Sequence, residues 1–274
     1  MPPPPFSMNI ELTSLCNQKC IMCPLTAGNT LSSRQAGHMT FATWVQVLEA
    51  AKIVGQVQWI GYGETLLHPR ALEFMQQADD CGIWSSLTTN GTKLTPKTSR
   101  VLGELKNLVH LNVSVDSLDP KVFKAIRKTP LHKTLDGIEN VLRYIDVEKL
   151  TIGSVVMSDN IESLVELPPY LASLHLRKYQ LNVLHEHKGK HFSGDLASPD
   201  GRFQLALERL SRVSEENGVQ LVIDVPDRLQ TQVENIALYG ENYGSQSTLR
   251  ETRRCLLPWE FPFVDKDGRA TGNK

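Results

Sequence analysis

Residues 16–23 read CNQKCIMC, which sets Cys16, Cys20 and Cys23 at C-x3-C-x2-C spacing, with a strand-like run before them and Pro24 after. Thiolates this close in sequence bind zinc or an iron–sulfur cluster, since soft sulfur ligands suit both. A structural zinc site closes its tetrahedron with a fourth protein ligand. The candidates are His38, well down the loop, and the remote Cys81 and Cys255. Cys81, within DDCG of a helical stretch, reads better as a small buried apolar residue. A catalytic centre instead keeps one position open. Three cysteines on three irons of a 4Fe–4S cube leave the fourth iron free for a small molecule. A disulfide framework explains the clustering poorly, because the chain has five cysteines, an odd number. Reduced thiolates fit a cytosolic protein better. A second group, HEHKGKH at 185–191, holds three of the eight histidines. Its spacing is not a common ligand pattern, so it reads as solvated loop, with contact to a charged substrate as the alternative.

The elements that must hold these residues show in the hydrophobic periodicity. Seven stretches have strand character: 7–13, 56–62, 84–90, 110–116, 150–157, 178–185 and 220–226. Helical pattern separates most of them, including 41–55, 69–82, 120–128, 135–145 and 202–218. Asp119-Pro120 marks a helix start, and Gly82 and Gly218 mark stops. Strands alternating with helices predict βαβ units and a parallel sheet. The strands also alternate within themselves. Leu111, Val113 and Val115 oppose Asn112, Ser114 and Asp116, and Met8, Ile10 and Leu12 oppose Asn9, Glu11 and Thr13. Gln180 and Asn182 share a face with Leu184. A sheet covered on both faces reads as continuous apolar runs, so polar inner faces predict a barrel with a wet or ligand-filled lumen. A one-sided sheet in solvent is the alternative. The cysteine loop follows the first strand and so falls on the rim that hosts chemistry in such barrels.

Composition narrows the partners. At 274 residues the chain is long enough for one large α/β barrel or two small domains, and 41% apolar with 22% charged residues is ordinary for a soluble globular protein. A net charge of −1 with interspersed signs argues against nonspecific nucleic-acid or anionic-membrane binding. No apolar run approaches the roughly 18 residues of a membrane span. The start, MPPPPFSMNIEL, lacks the basic and apolar regions of a secretory signal. A cytoplasmic location is expected.

The cysteine triplet resembles the signature of the radical S-adenosylmethionine (radical SAM) superfamily. CNQKCIMCP, with Asn17 and Pro24, is similar to the branch that carries SPASM or twitch C-terminal extensions. Further stretches match in order: HMT at 38–40, GYGETLLHP at 61–69, TTNG at 88–91 and NVSVDS at 112–117. The resemblance runs over roughly residues 8–185. It implies an α/β fold, a partial (β/α)6 TIM-like barrel with a short C-terminal extension. The expected division is a proline-rich tail at 1–7, a core at 8–226, and a linker with an incomplete SPASM/twitch-like extension at 227–274.

It also implies roles for particular residues. Cys16, Cys20 and Cys23 would hold a 4Fe–4S cluster, and S-adenosylmethionine (SAM) would fill the open corner. Tyr62, Gly63 and Glu64 would receive the SAM amino group, with Tyr62 standing where the family has its first glycine. Ser114 would hydrogen-bond the ribose. Asn90 would approach SAM or substrate, or serve only its own turn. Leu184 would touch the adenine or simply fill space. Asp116 points the same way as Ser114 or caps the following turn. The cluster, reduced by a flavodoxin- or ferredoxin-type donor, would cleave SAM to a 5′-deoxyadenosyl radical that abstracts hydrogen from a peptide or small-molecule substrate. RRCLLPWEFPFVDKDG, from residue 253, resembles the opening of a SPASM or twitch domain, yet no cysteine follows Cys255. The expectation is therefore a truncated or shortened extension, with Cys255 no ligand. The short segment before the first strand weakens the case for a peptide substrate, although a separate protein can present one. The competing expectations are a degenerate homologue that binds cluster and SAM without turnover, and a zinc-stabilised binding protein.

Overall fold

The computed structural model describes residues 7–26, 36–183, 202–224 and 263–271. In chain order the elements are β1 (Met8–Ile10), α1 (Phe41–Val54), β2 (Gln56–Trp59), α2 (Ala71–Asp80), β3 (Trp84–Thr89), α3 (Pro96–Glu104) and β4 (Leu108–Ser114). They continue with α4 (Pro120–Arg127), α5 (His132–Val141), β5 (Leu150–Val156), α6 (Leu167–Ser173), β6 (Lys178–Val183), α7 (Arg202–Glu216) and β7 (Gln220–Asp224). A hairpin of β8 (Phe263–Val264) and β9 (Ala270–Thr271) follows. From β1 to β7 each strand pairs with the next, always in parallel. Parallel neighbours need crossovers, and the helices supply them. This is the expected α/β fold, a partial TIM-like barrel.

The helices start and stop where local chemistry lets them. Thr40 caps α1 by accepting from the Thr43 N–H, and Asp119 caps α4 by accepting from Lys121 and Val122, with Pro120 in the first turn. Helices α3 and α6 lie outside the helical stretches named from the sequence. α3 buries only Ser99 and Leu102, so its apolar stripe is faint. α6 carries two prolines near its start, where a missing N–H goes unnoticed.

Along each strand one face is apolar and packed. Ile10, Val57, Trp59, Leu87, Leu111, Val113 and Ile152 are fully buried. The opposite face is the polar one expected of a lumen. Gln58 pairs with Ser86 and Ser86 with His110. His110 Nε2 lies 2.8 Å from Thr151 Oγ1. An amide chain crosses the sheet at the next level: Asn112 Nδ2 donates to Gln180 Oε1 at 3.3 Å, and Gln180 Nε2 donates to Asn182 Oδ1 at 3.0 Å.

The sequence pattern did not foresee where the C-terminal hairpin docks. β8 lies parallel to β1, with Asn9 opposite Phe263 and Ile10 opposite Val264, and the Glu11 N–H donates to the Val264 carbonyl at 2.9 Å. The sheet order is therefore β7-β6-β5-β4-β3-β2-β1-β8-β9. Among the described residues, no helix is long and apolar enough to cross a membrane.

Candidate functional site at the rim of the sheet

The cysteine loop leaves β1 through a tied stem. Met39 N–H donates to the Leu12 carbonyl at 2.8 Å, and Ser14 N–H and Thr13 Oγ1 both donate to the Gly37 carbonyl at 3.0 Å. Inside the loop the Cys23 N–H donates to the Cys20 carbonyl and the Thr26 N–H to the Cys23 carbonyl, two consecutive tight turns. The Ile21 N–H reaches the Ile126 carbonyl of α4 at 3.0 Å. These bonds fix the backbone that carries the three thiols. Cys16 is exposed, Cys23 half-buried and Cys20 buried.

Gly63 packs the segment after β2 against the stem of this loop. A Cβ there would stand 2.0 Å from the Thr13 carbonyl oxygen, and the next residue's N–H donates to the Leu15 carbonyl at 2.9 Å. Only glycine permits that approach. Glu64 is buried and braces a third element. Its carboxylate accepts from Thr89 Oγ1 at 2.7 Å, Asn90 N–H at 2.8 Å and Leu66 N–H at 3.3 Å. Burial pushes its pKa up, against the pull of those donors. The Tyr62 N–H donates to Glu11 Oε1 at 2.9 Å.

Asn90 serves its own turn and also reaches the cysteine loop. Its Oδ1 accepts from the Thr92 N–H at 3.0 Å, a local turn, while its Nδ2 donates to Asn17 Oδ1 at 2.9 Å and lies 4.0 Å from Cys16 Sγ. Ser114 ends β4 half-buried, opposite Gly153. Leu184, the 185–191 histidine stretch and Cys255 lie outside the described residues.

Two expectations are corrected. Cys81 is exposed rather than buried, because it falls at the C-terminal cap of α2 and not within it. Asp116 is no cap. It is fully buried and paired with Arg127, Nε to Oδ2 2.5 Å, while its Oδ1 accepts from the Val155 N–H at 2.9 Å. The cap is Asp119.

Arg127, Gln18 and Glu11 are the residues at this candidate site that sequence reasoning missed. Arg127 ends α4 on the same stripe as Phe123 and Ile126, and an arginine on a buried helical face was the available signal. Its guanidinium also acts on Cys20 by charge. Burial alone would lower its pKa, but Asp116 and Cys20 hold it charged, above its ordinary value. Burial likewise pushes the Cys20 thiol up to about 11, against the pull of Arg127, and raises Cys16.

Three sulfurs on one pinned loop, with a buried cation against the middle one, fit a thiolate-held cluster. Gln18 fits it too: only 5% exposed, it leaves Nε2 without a hydrogen-bond partner among the described residues. A buried unmet donor of that kind costs about 1–3 kcal/mol unless something at the site accepts from it. No group of three His, Cys, Asp or Glu side chains among the described residues is arranged around a single ion. A cube asks for none, because each thiolate binds a different iron. His38, a possible fourth zinc ligand, packs edge-on against the His68 ring at 5.2 Å.

Comparison with known proteins agrees with this geometry. The Radical SAM superfamily model matches residues 10–167. An AdoMet-dependent heme synthase of Methanosarcina barkeri is 27% identical over 269 residues, which cover 95% of this chain and 74% of that protein. A GTP 3′,8-cyclase of Vibrio cholerae is 30% identical over 186 residues, 65% of this chain and 53% of the cyclase. In fold, the chain is similar to Streptococcus suis SuiB bound to S-adenosylmethionine, with a TM-score of 0.74 at 18% identity, covering 98% of this chain and 60% of SuiB. It thus spans about three quarters of the heme synthase and little more than half of the other two. With a family match over more than half its length, the chain belongs to the radical SAM superfamily, whose enzymes work with a 4Fe–4S cluster and S-adenosylmethionine.

Proposed function

We infer that this radical SAM enzyme holds its cluster on Cys16, Cys20 and Cys23 and binds SAM across the rim formed by the ends of β1, β2, β3 and β4. The observation that carries the reading is the packing of Gly63 against the stem of the cysteine loop, which joins the triplet to the Tyr62-Gly63-Glu64 stretch. When bound, the cluster supplies one-electron cleavage of SAM to methionine and a 5′-deoxyadenosyl radical, which removes hydrogen from the substrate.

The chain's own residues bind and orient. Arg127 offsets the negative charge of the Cys20 thiolate, which ligation requires. Tyr62, Gly63 and Glu64 offer backbone carbonyls and a carboxylate to the SAM amino group. Since three donors already occupy Glu64, its larger part is to hold Asn90 and Thr89 against the loop. Ser114 faces the ribose, and Asn90 stands between SAM and Cys16. The polar lumen receives the substrate, a peptide or a small molecule. SuiB has been solved bound to a precursor peptide, SuiA. A flavodoxin- or ferredoxin-type protein delivers the electron.

The test is anaerobic. Protein loaded with iron and sulfide and reduced with dithionite is expected to convert SAM to 5′-deoxyadenosine, and Cys20→Ala to lose both cluster and product. A fully loaded cluster that yields no product with any partner leaves the degenerate homologue standing. One zinc and no iron in protein purified without oxygen leaves the zinc-stabilised protein.

A further inference from the structure

Gln18 sits between the first two cysteines of the loop, buried at 5% exposure. Its Oε1 lies 3.6 Å from Cys20 Sγ, where it accepts from the thiol, and its Nε2 has no partner among the described residues. That arrangement suits a thiol and is wrong for a thiolate. A ligating Cys20 has no S–H to give, so the amide oxygen would face a lone pair and a negative charge. Turning the amide over exchanges oxygen and nitrogen with almost no change of shape. The one rotation aims an N–H at the sulfur and removes the orphaned donor. The oxygen it displaces is the easier of the two groups to leave short of a partner. The backbone next to Cys20 is tied to α4 by the Ile21 N–H, which keeps the sulfur beside the amide.

Resting on the radical SAM reading above, we propose that Gln18 is a cluster-tuning residue: its side-chain N–H donates to the Cys20 sulfur of the bound 4Fe–4S cluster and raises the cluster's reduction potential. Hydrogen bonds to cluster sulfurs favour the reduced, more negative state. Arg127 acts in the same direction by charge, and Gln18 adds a neutral donor that a buried site accommodates more easily than a second cation.

Wild type and Gln18→Leu, both loaded without oxygen, are titrated potentiometrically and the cluster followed by EPR. The Leu variant is expected to hold the same iron and sulfide with a more negative midpoint. A tenfold rise in the oxidised-to-reduced ratio at fixed potential corresponds to about 59 mV for one electron. An unchanged midpoint in a fully loaded variant overturns the proposal. Where the Leu variant loads poorly, wild type labelled with 15N only at glutamine side-chain amides gives a second reading. Hyperfine spectroscopy of its reduced cluster is expected to show a 15N coupling absent from unlabelled protein, and no coupling overturns the proposal. Wild type that takes up no 4Fe–4S cluster overturns the functional reading and this proposal together. A cluster without the 15N coupling overturns this proposal alone.

Discussion

At the scale of single residues, the pair Asp116–Arg127 ties the segment after β4 to the end of α4. Both side chains are buried, at 0% and 9% exposure, so removing one partner leaves the other charged and unpaired in a dry place. Arg127→Met is expected to destabilise the protein by about 3–5 kcal/mol, and Asp116→Asn combined with it by less than the two single changes summed. Urea unfolding of wild type, the two single variants and the double variant measures the coupling. One half of this pair left a signal in the sequence that was not used. Arg127 follows Phe123 and Ile126 at helical spacing, which marks it as buried. Its partner left none, because strand alternation gives Asp116 a face and no address. The same limit explains Gln18, whose neighbour across the loop depends on how CNQKCIMC folds back on itself.

At the scale of elements, two glycine substitutions separate crowding from conformation. Gly63→Ala drives a methyl into the Thr13 carbonyl, 2.0 Å away, and must push the loop stem off the end of β2. It is expected to lose about 1–3 kcal/mol and, with it, most of the iron taken up on reconstitution. Gly55→Ala meets open space but sits at φ 78° at the end of α1. It is expected to lose about 1 kcal/mol and no iron. Denaturation midpoints with iron and sulfide assays check both. Strand positions were readable to within a few residues, because each buried face repeats with period two. α3 and α6 were not, because one has a faint apolar stripe and the other opens on prolines that usually end helices.

At the scale of the whole molecule, the docked hairpin covers the β1 edge of the sheet. A variant ending at residue 226 bares the backbone groups of β1 that β8 pairs with. It is expected to unfold at lower denaturant and to associate, seen by light scattering, since an unpaired strand edge templates pairing. Acid should loosen the molecule as well. Burial lowers the pKa of His68 and of His110, so each holds its proton less tightly in the fold than in the unfolded chain, which binds it near pH 6.5. The stability they contribute is present above that pH and is lost as the pH falls through it. A melting temperature that drops from pH 7 to pH 5, and drops less in His110→Gln, is the expected result.

What the sequence determined by itself is local: the spacing of Cys16, Cys20 and Cys23, the alternation of strand and helix, and the polar inner face. Each is a repeat or a short-range pattern that survives without knowing any distant neighbour. What only the tertiary structure decided is pairing across the chain. Val264 meets Ile10, Gly63 meets Thr13, Glu64 meets Asn90 and Arg127 meets Cys20. Many residues could satisfy each partner equally well, and the register of the sheet brings one of them within reach.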